Sequence, residues 1–141
     1  MDEKYIELIR AWIQLSAILK NSRLTKELSY NESIVMLQLY QAGGAPISIR
    51  QITANTRMLK SQVNRTINAL EEKGLLRRCE STGDRRVGYV QYVPERLEVF
   101  LRVHAETIEI AKRIYEIVGP EDTDRFVRIV EKLTQAGYQQ K

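Results

Sequence analysis

Cysteine and histidine occur once each in this 141-residue chain, as Cys79 and His104. A single thiol excludes an intramolecular disulfide, and one imidazole beside it leaves too few soft ligands for an ordinary zinc centre. The same shortage weighs against catalysis by a triad or a Cys/His dyad, and no cofactor or enzymatic activity is expected. Long apolar runs are missing too. Nothing approaches the roughly 18 residues needed to cross a bilayer, and the opening MDEKYIELIR carries acids where a signal peptide has a basic stretch. The expected setting is the cytoplasm, with no membrane partner. No internal repeat, low-complexity tract or flexible linker is evident.

What is present is ordinary in amount and uneven in placement. Hydrophobic residues make up 43% and charged residues 28%, the proportions of one folded, soluble domain over residues 1–141. The net charge is +4. Residues 1–44 balance five cations with five acids, residues 45–92 hold nine cations against four acids, and residues 93–141 hold eight against nine. The whole excess therefore sits in the middle third, as a phosphate-binding face would require, although an acidic protein partner would suit the same tally.

Periodicity divides the chain into helices around a short β segment. Tyr5, Leu8, Ile9, Trp12, Ile13, Ser16 and Leu19 recur at steps of three and four, which predicts an amphipathic helix over 3–21. Ser29-Tyr30-Asn31-Glu32 fits a capping box and opens a helix carrying Ile34, Leu37, Leu39 and Tyr40, ended by Gly43-Gly44. A second box, Ser48-Ile49-Arg50-Gln51, opens a short helix expected to stop near Asn55 in a left-handed turn. The next helix, about 60–73, buries Val63, Ile67 and Leu70 and leaves Lys60, Gln62, Asn64, Arg65 and Asn68 to solvent; Gly74 caps it, with Leu75 folding back onto Leu70. Leu76–Glu80 and Val87–Val93 then read as two strands of a hairpin whose tip, Ser81-Thr82-Gly83-Asp84-Arg85-Arg86, is basic. From Pro94 a long helix reaches Val118, and Gly119-Pro120 separates it from a last helix of about 122–136.

The long helix has two apolar faces. Leu97, Leu101, His104, Ile108, Ala111, Tyr115 and Val118 form one stripe; Val99, Val103, Ile110, Ile114 and Ile117 form another. One small domain usually covers one such face, so the second implies a neighbouring chain, here a symmetric homodimer, against the plainer alternative of a helix buried on several sides within its own chain.

Two short helices joined by a tight turn and followed by a basic-tipped hairpin make a winged helix-turn-helix in a mainly α fold. At this point the sequence resembles the MarR family (multiple antibiotic resistance regulators). The matching features are the run LKSQVNRTINALEEKGLLRR (59–78), with Arg65 and the Leu70-Glu71-x-x-Gly74-Leu75 pattern, and the wing STGDRR (81–86). The resemblance implies a dimeric transcription factor, most often a repressor, on a pseudo-palindromic double-stranded operator. Residues 29–93 would form the DNA-binding part, and residues 1–21 and 94–141 the dimerisation helices. In such a protein the 60–73 helix lies in the major groove, where Gln62 and Asn64 suit adenine and Arg65 suits guanine or a phosphate, while Lys60 and Ser61 hold the backbone. The wing would enter the minor groove with Arg86 first and Arg85 second. By the family's Asp-x-Arg pattern, Asp84 would orient Arg86. Arg50, Arg57 and Asn68 complete the expected DNA contacts.

Two departures from the family pattern stand out. Leu59 replaces the usual serine-like cap, which leaves Ser61 as an alternative start of the helix and would shift every contact by a residue or two. Tyr92-Val93-Pro94-Glu95-Arg96 replaces the common Leu-Thr-x-x-Gly.

Relatives of this kind often release DNA when a small amphipathic or phenolic effector binds. Tyr5, Trp12, Tyr30, Tyr40, Tyr115 and Phe126 could line such a cavity, but aromatics at helical spacing are more often core or dimer packing, and no ligand residue is assigned. Cys79 follows Arg77 and Arg78, which would lower its pKa if near in space, yet an inert cysteine is the commoner outcome. His104, alone on an apolar stripe, reads as a packed histidine at the dimer contact. Two other function classes compete with DNA binding. One is a winged-helix protein-interaction module; the other is an enzyme built on paired carboxylates such as Glu106 and Glu109, whose spacing better fits a solvated face.

Overall fold

The computed structural model describes residues 2–21, 27–79 and 88–137. Helix α1 (Glu3–Asn21) precedes α2 (Tyr30–Gln41), whose start is fixed by the complete Ser29–Glu32 box. The Glu32 amide donates to Ser29 Oγ at 3.1 Å, and the Ser29 amide returns a bond to Glu32 Oε1 at 2.7 Å. Glu32 is only 5% exposed, so its charge needs a further partner, which is Lys73 Nζ at 2.7 Å. The same ammonium donates to the Glu27 carbonyl at 2.9 Å.

Sequence reading expected two strands; the sheet has three. Strand β1 (Ile47–Ser48) pairs antiparallel with β3 (Tyr89–Tyr92), which pairs with β2 (Leu76–Cys79), giving the order β1-β3-β2. Two residues are too few for an alternation pattern, and the partner lies some forty positions away. Ser48 ends β1 and also caps α3 (Ile49–Thr56), accepting from the Gln51 amide at 3.0 Å. The second box is only half formed, because the Gln51 side chain donates to Asn55 Oδ1 at 2.8 Å instead of returning to Ser48. At the start of β3, the Gly88 carbonyl accepts from the Ile49 amide at 2.9 Å, and a Cβ on Gly88 would lie 3.0 Å from Ile49 Cδ1. A side chain at this position would have to push the end of Ile49 aside.

The turn out of α3 also differs from expectation. Asn55 stays helical, held by its bond from Gln51 and by donating to Gln38 Oε1 on α2 at 2.9 Å. The left-handed residue is Arg57, at φ +58°, a conformation that costs an L residue about 1 to 2 kcal/mol. Helix α4 (Lys60–Glu72) then begins at Leu59 rather than at the alternative cap Ser61. Leucine has no oxygen to offer, but Gln62 reaches back and accepts from the Leu59 amide at 3.1 Å. At the other end Gly74 takes φ +75°, its amide donates to the Glu71 carbonyl, and the Leu75 amide donates to the Leu70 carbonyl, each at 3.0 Å. This is the Schellman ending expected from Gly74, with Leu70 and Leu75 both buried.

A 3-10 turn at Pro94–Arg96 leads into α5 (Leu97–Val118). Helix α6 (Pro120–Gln135) starts two residues before expectation, with Pro120 in its first turn, where the missing amide is no loss. The core joins Val35, Met36 and Leu39 of α2, Ile52 of α3, Val63, Ile67 and Leu70 of α4, Val90 of β3, and Val99, Phe100 and Val103 of α5. Ile34 and Leu37 are half-buried and Tyr40 is exposed, because the buried stripe of α2 runs one residue out of phase with the one read from sequence. Beyond Val103, α5 leaves this core. Ile108, Ile114, Tyr115 and Ile117 of α5, Phe126, Ile129 and Leu133 of α6, and Tyr5, Ile9, Trp12 and Ile13 of α1 are all exposed in the single chain.

The Glu32 cluster ties the start of α2 to the end of α4, so its removal should be felt globally. Glu32→Ala is expected to lower unfolding stability by about 2 to 4 kcal/mol, through loss of half a capping box and of a buried ion pair. A denaturant titration reads this as a lower midpoint; a change under about 0.5 kcal/mol would show the cluster to be dispensable.

Candidate nucleic-acid interface

Three side chains settle which way α4 faces. Val63, Ile67 and Leu70 are fully buried, with Thr66 nearly so and its hydroxyl donating to the Gln62 carbonyl at 2.7 Å. The opposite face therefore points outward. Lys60, Ser61, Arg65 and Asn68 are exposed, and Gln62 and Asn64 are half-buried. Among the described residues, Lys60, Asn64 and Arg65 make no hydrogen bond or ion pair, which leaves a cation, an amide and a guanidinium free in the first two turns. That is the chemistry needed to hold phosphate and to read base edges.

Other expected contacts are already engaged inside the protein. Gln62 keeps its amide nitrogen available while its oxygen caps α4. Asn68 Oδ1 accepts from Arg78 Nη2 at 2.6 Å, and Arg78 Nε lies 3.4 Å from Glu71 Oε1. The Arg57 guanidinium donates to the Thr134 carbonyl at the end of α6, at 3.3 Å. Arg50 is exposed in the first turn of α3. Asp84, Arg85 and Arg86 lie outside the described residues.

Sequence reading weighed the two arginines of β2 only for their effect on Cys79. Arg77 stands opposite Gln91 in the sheet register, and with the Gln91 amide turned so that its oxygen faces the guanidinium, Arg77 donates to it through Nε at 2.9 Å and Nη2 at 2.7 Å. Arg78 ties the wing strand to α4. The available signal was two consecutive arginines on a strand, which must point to opposite faces, so that one of them meets the preceding helix.

Cys79, beside them, is half-buried. Burial pushes its thiol pKa up, and the Arg77 charge offsets this only in part. His104 is half-buried and stacks on Phe100 at 5.3 Å, with Tyr40 at 5.9 Å. None of Tyr5, Trp12, Tyr30, Tyr40, Tyr115 and Phe126 is buried, so none is core in the single chain. Glu109 pairs with Lys112 at 3.2 Å on an open helix face. Among the described residues no three His, Cys, Asp or Glu side chains could hold a metal ion together, and no helix is long and apolar enough to cross a membrane.

A sequence profile of the MarR family matches residues 26–87. No curated protein matches the chain in sequence. Solved structures share its fold over nearly its whole length. Sco3205, a MarR family transcriptional regulator from Streptomyces coelicolor solved in complex with DNA, superposes with a TM-score of 0.85 at 14% identity, over 98% of this chain and 93% of that one. The PcaV transcriptional regulator from the same organism, solved with its natural ligand, gives 0.78 at 18% identity, over 93% and 92%. The transcriptional regulator BldR from Sulfolobus solfataricus gives 0.76 at 22% identity, over 96% of each chain. The mainly helical architecture with its small antiparallel sheet is thus a winged-helix fold of the MarR type.

The raised thiol pKa of Cys79 sets its reactivity. Since only the thiolate attacks, alkylation by iodoacetamide at pH 7 should run slower than that of free cysteine and should still be rising above pH 9. A rate at pH 7 equal to or above that of free cysteine would show that Arg77 outweighs burial.

Proposed function

We propose that this chain, whose residues 26–87 match the sequence profile of the MarR family, is a sequence-specific double-stranded-DNA-binding transcriptional regulator. In this reading it represses transcription from a pseudo-palindromic operator as a cytoplasmic homodimer. The observation that carries it is the outward face of α4, where Lys60, Asn64 and Arg65 stand free around the buried Val63, Ile67 and Leu70. Lys60, Ser61 and Arg50 would hold the phosphates, and Asn64, Arg65 and the free end of Gln62 would read the major groove. Arg86 and Arg85, oriented by Asp84, would take the minor groove. Asn68 would act at one remove, through Arg78 and the wing.

The dimer is supported by the apolar side chains that α1, α5 and α6 leave exposed, which a second copy would cover. Residues 1–21 and 94–141 are the dimerisation helices in this reading, and residues 29–93 the DNA-binding part. Release by a small amphipathic or phenolic effector is part of the proposal and is supported by the ligand-bound PcaV structure. The chain is a binding protein and not an enzyme in this account.

Duplexes selected from a random library by the purified protein test the reading. Log affinity for the selected duplex should fall linearly with log salt, with a slope of about 0.9 per phosphate neutralised. Lys60→Ala should weaken all sequences alike and reduce that slope by about 1. Asn64→Ala should relax discrimination at one half-site position by about 1 to 3 kcal/mol. Absence of duplex binding at low salt by a dimeric protein would instead point to a protein-interaction module.

A further inference from the structure

Arg57 combines two features that belong together. It occupies the left-handed position at the end of α3, where glycine is the unstrained choice, and its guanidinium crosses 77 positions of sequence to donate to the Thr134 carbonyl. That carbonyl lies in the last turn of α6, where unpaired oxygens and the negative end of the helix dipole favour a cation. The Gly137 amide donates to the same oxygen at 3.1 Å, and the Ala136 amide closes the turn on Lys132 at 3.0 Å. The bond therefore runs between the turn that sets the angle of α3 and α4 and the far end of a helix whose apolar face lies outside the winged helix.

The geometry points to Arg57 as a positioning residue: a strut that fixes the reading head against α6 and so sets the separation of two reading heads in a dimer. This rests on the DNA-binding reading above and adds a role distinct from phosphate contact. A phosphate contact contributes to each half-site separately and to counterion release. A strut contributes to neither, and acts only when both half-sites must be met at one fixed spacing. It also makes the length of arginine matter, since lysine keeps the charge but not the reach to the Thr134 carbonyl.

The test uses Arg57→Gly, which suits the left-handed backbone, together with Arg57→Lys. Amide hydrogen exchange at Ala136 and Gly137 in the free protein is read first, and both variants should exchange faster than wild type there; unchanged exchange would overturn the strut. Binding is then measured on a duplex selected by the wild-type protein and on the same duplex with one half-site scrambled. The expected result is a loss of roughly three- to tenfold on the full site, no change on the scrambled duplex, and an unaltered salt slope, with Arg57→Lys tracking Arg57→Gly. An equal loss on both duplexes with a slope lower by about one, rescued by lysine, would make Arg57 a phosphate contact and overturn the proposal. No loss on either duplex would overturn it too. A wild-type protein that selects no duplex would remove the proposed function itself, a failure visible before any variant is compared.

Discussion

The buried stripe of α4 is the constraint on which the rest of the molecule turns. Val63, Ile67 and Leu70 are each shut off from solvent by α2, α3 and the sheet. Rotating the helix by one residue, about 100°, would bring Asn64 or Gln62 inward and put a leucine in water. The outward set is therefore not a separate choice of the sequence; it is what remains once the inward set is satisfied. Both ends of the helix hold the same setting. Lys73 at the C-terminal cap grips Glu32 of α2, and Leu75 folds over Leu70 through the left-handed Gly74.

Much of this was legible in the residues because the signals are local. The Ser29–Glu32 box, the Gly74 ending and the Pro94 and Gly119-Pro120 boundaries each depend on a few neighbouring residues. The inward stripe of α4 was legible because burial selects one face of a 3.6-residue period. What escaped depends on distant partners. Asn55 had the right chemistry for a left-handed turn, but Gln38 on α2 and Gln51 hold its side chain in the helix, and the strained position passed to Arg57. Strand β1 escaped because two residues have no period, and the half-formed box at Ser48 because Gln51 found a better partner in Asn55.

The candidate DNA contacts divide along the same line. Residue type and helical spacing placed Lys60, Asn64 and Arg65 on the outer face. Spacing could not show that Asn68 is held by Arg78 or that Arg57 reaches α6, since both bonds join elements far apart in sequence. The two stripes of α5 were also visible in the sequence, and the structure divides them along its length. Its first two turns, through Val103, pack against the core of α2, α3 and α4, and the remainder carries exposed apolar residues, as α1 and α6 do.

Gly88 has a consequence for how the wing is mounted. The sheet stands on two footings, one on each helix of the pair: Arg78 of β2 donates to Asn68 of α4, and the Gly88 carbonyl, just before β3, accepts from the Ile49 amide at the start of α3. A ribbon clamped to both members of a hinge cannot keep its shape while the hinge opens. Any change in the angle between α3 and α4 pulls its two feet apart, so the pair β2 and β3 has to deform whenever the two helices reorient.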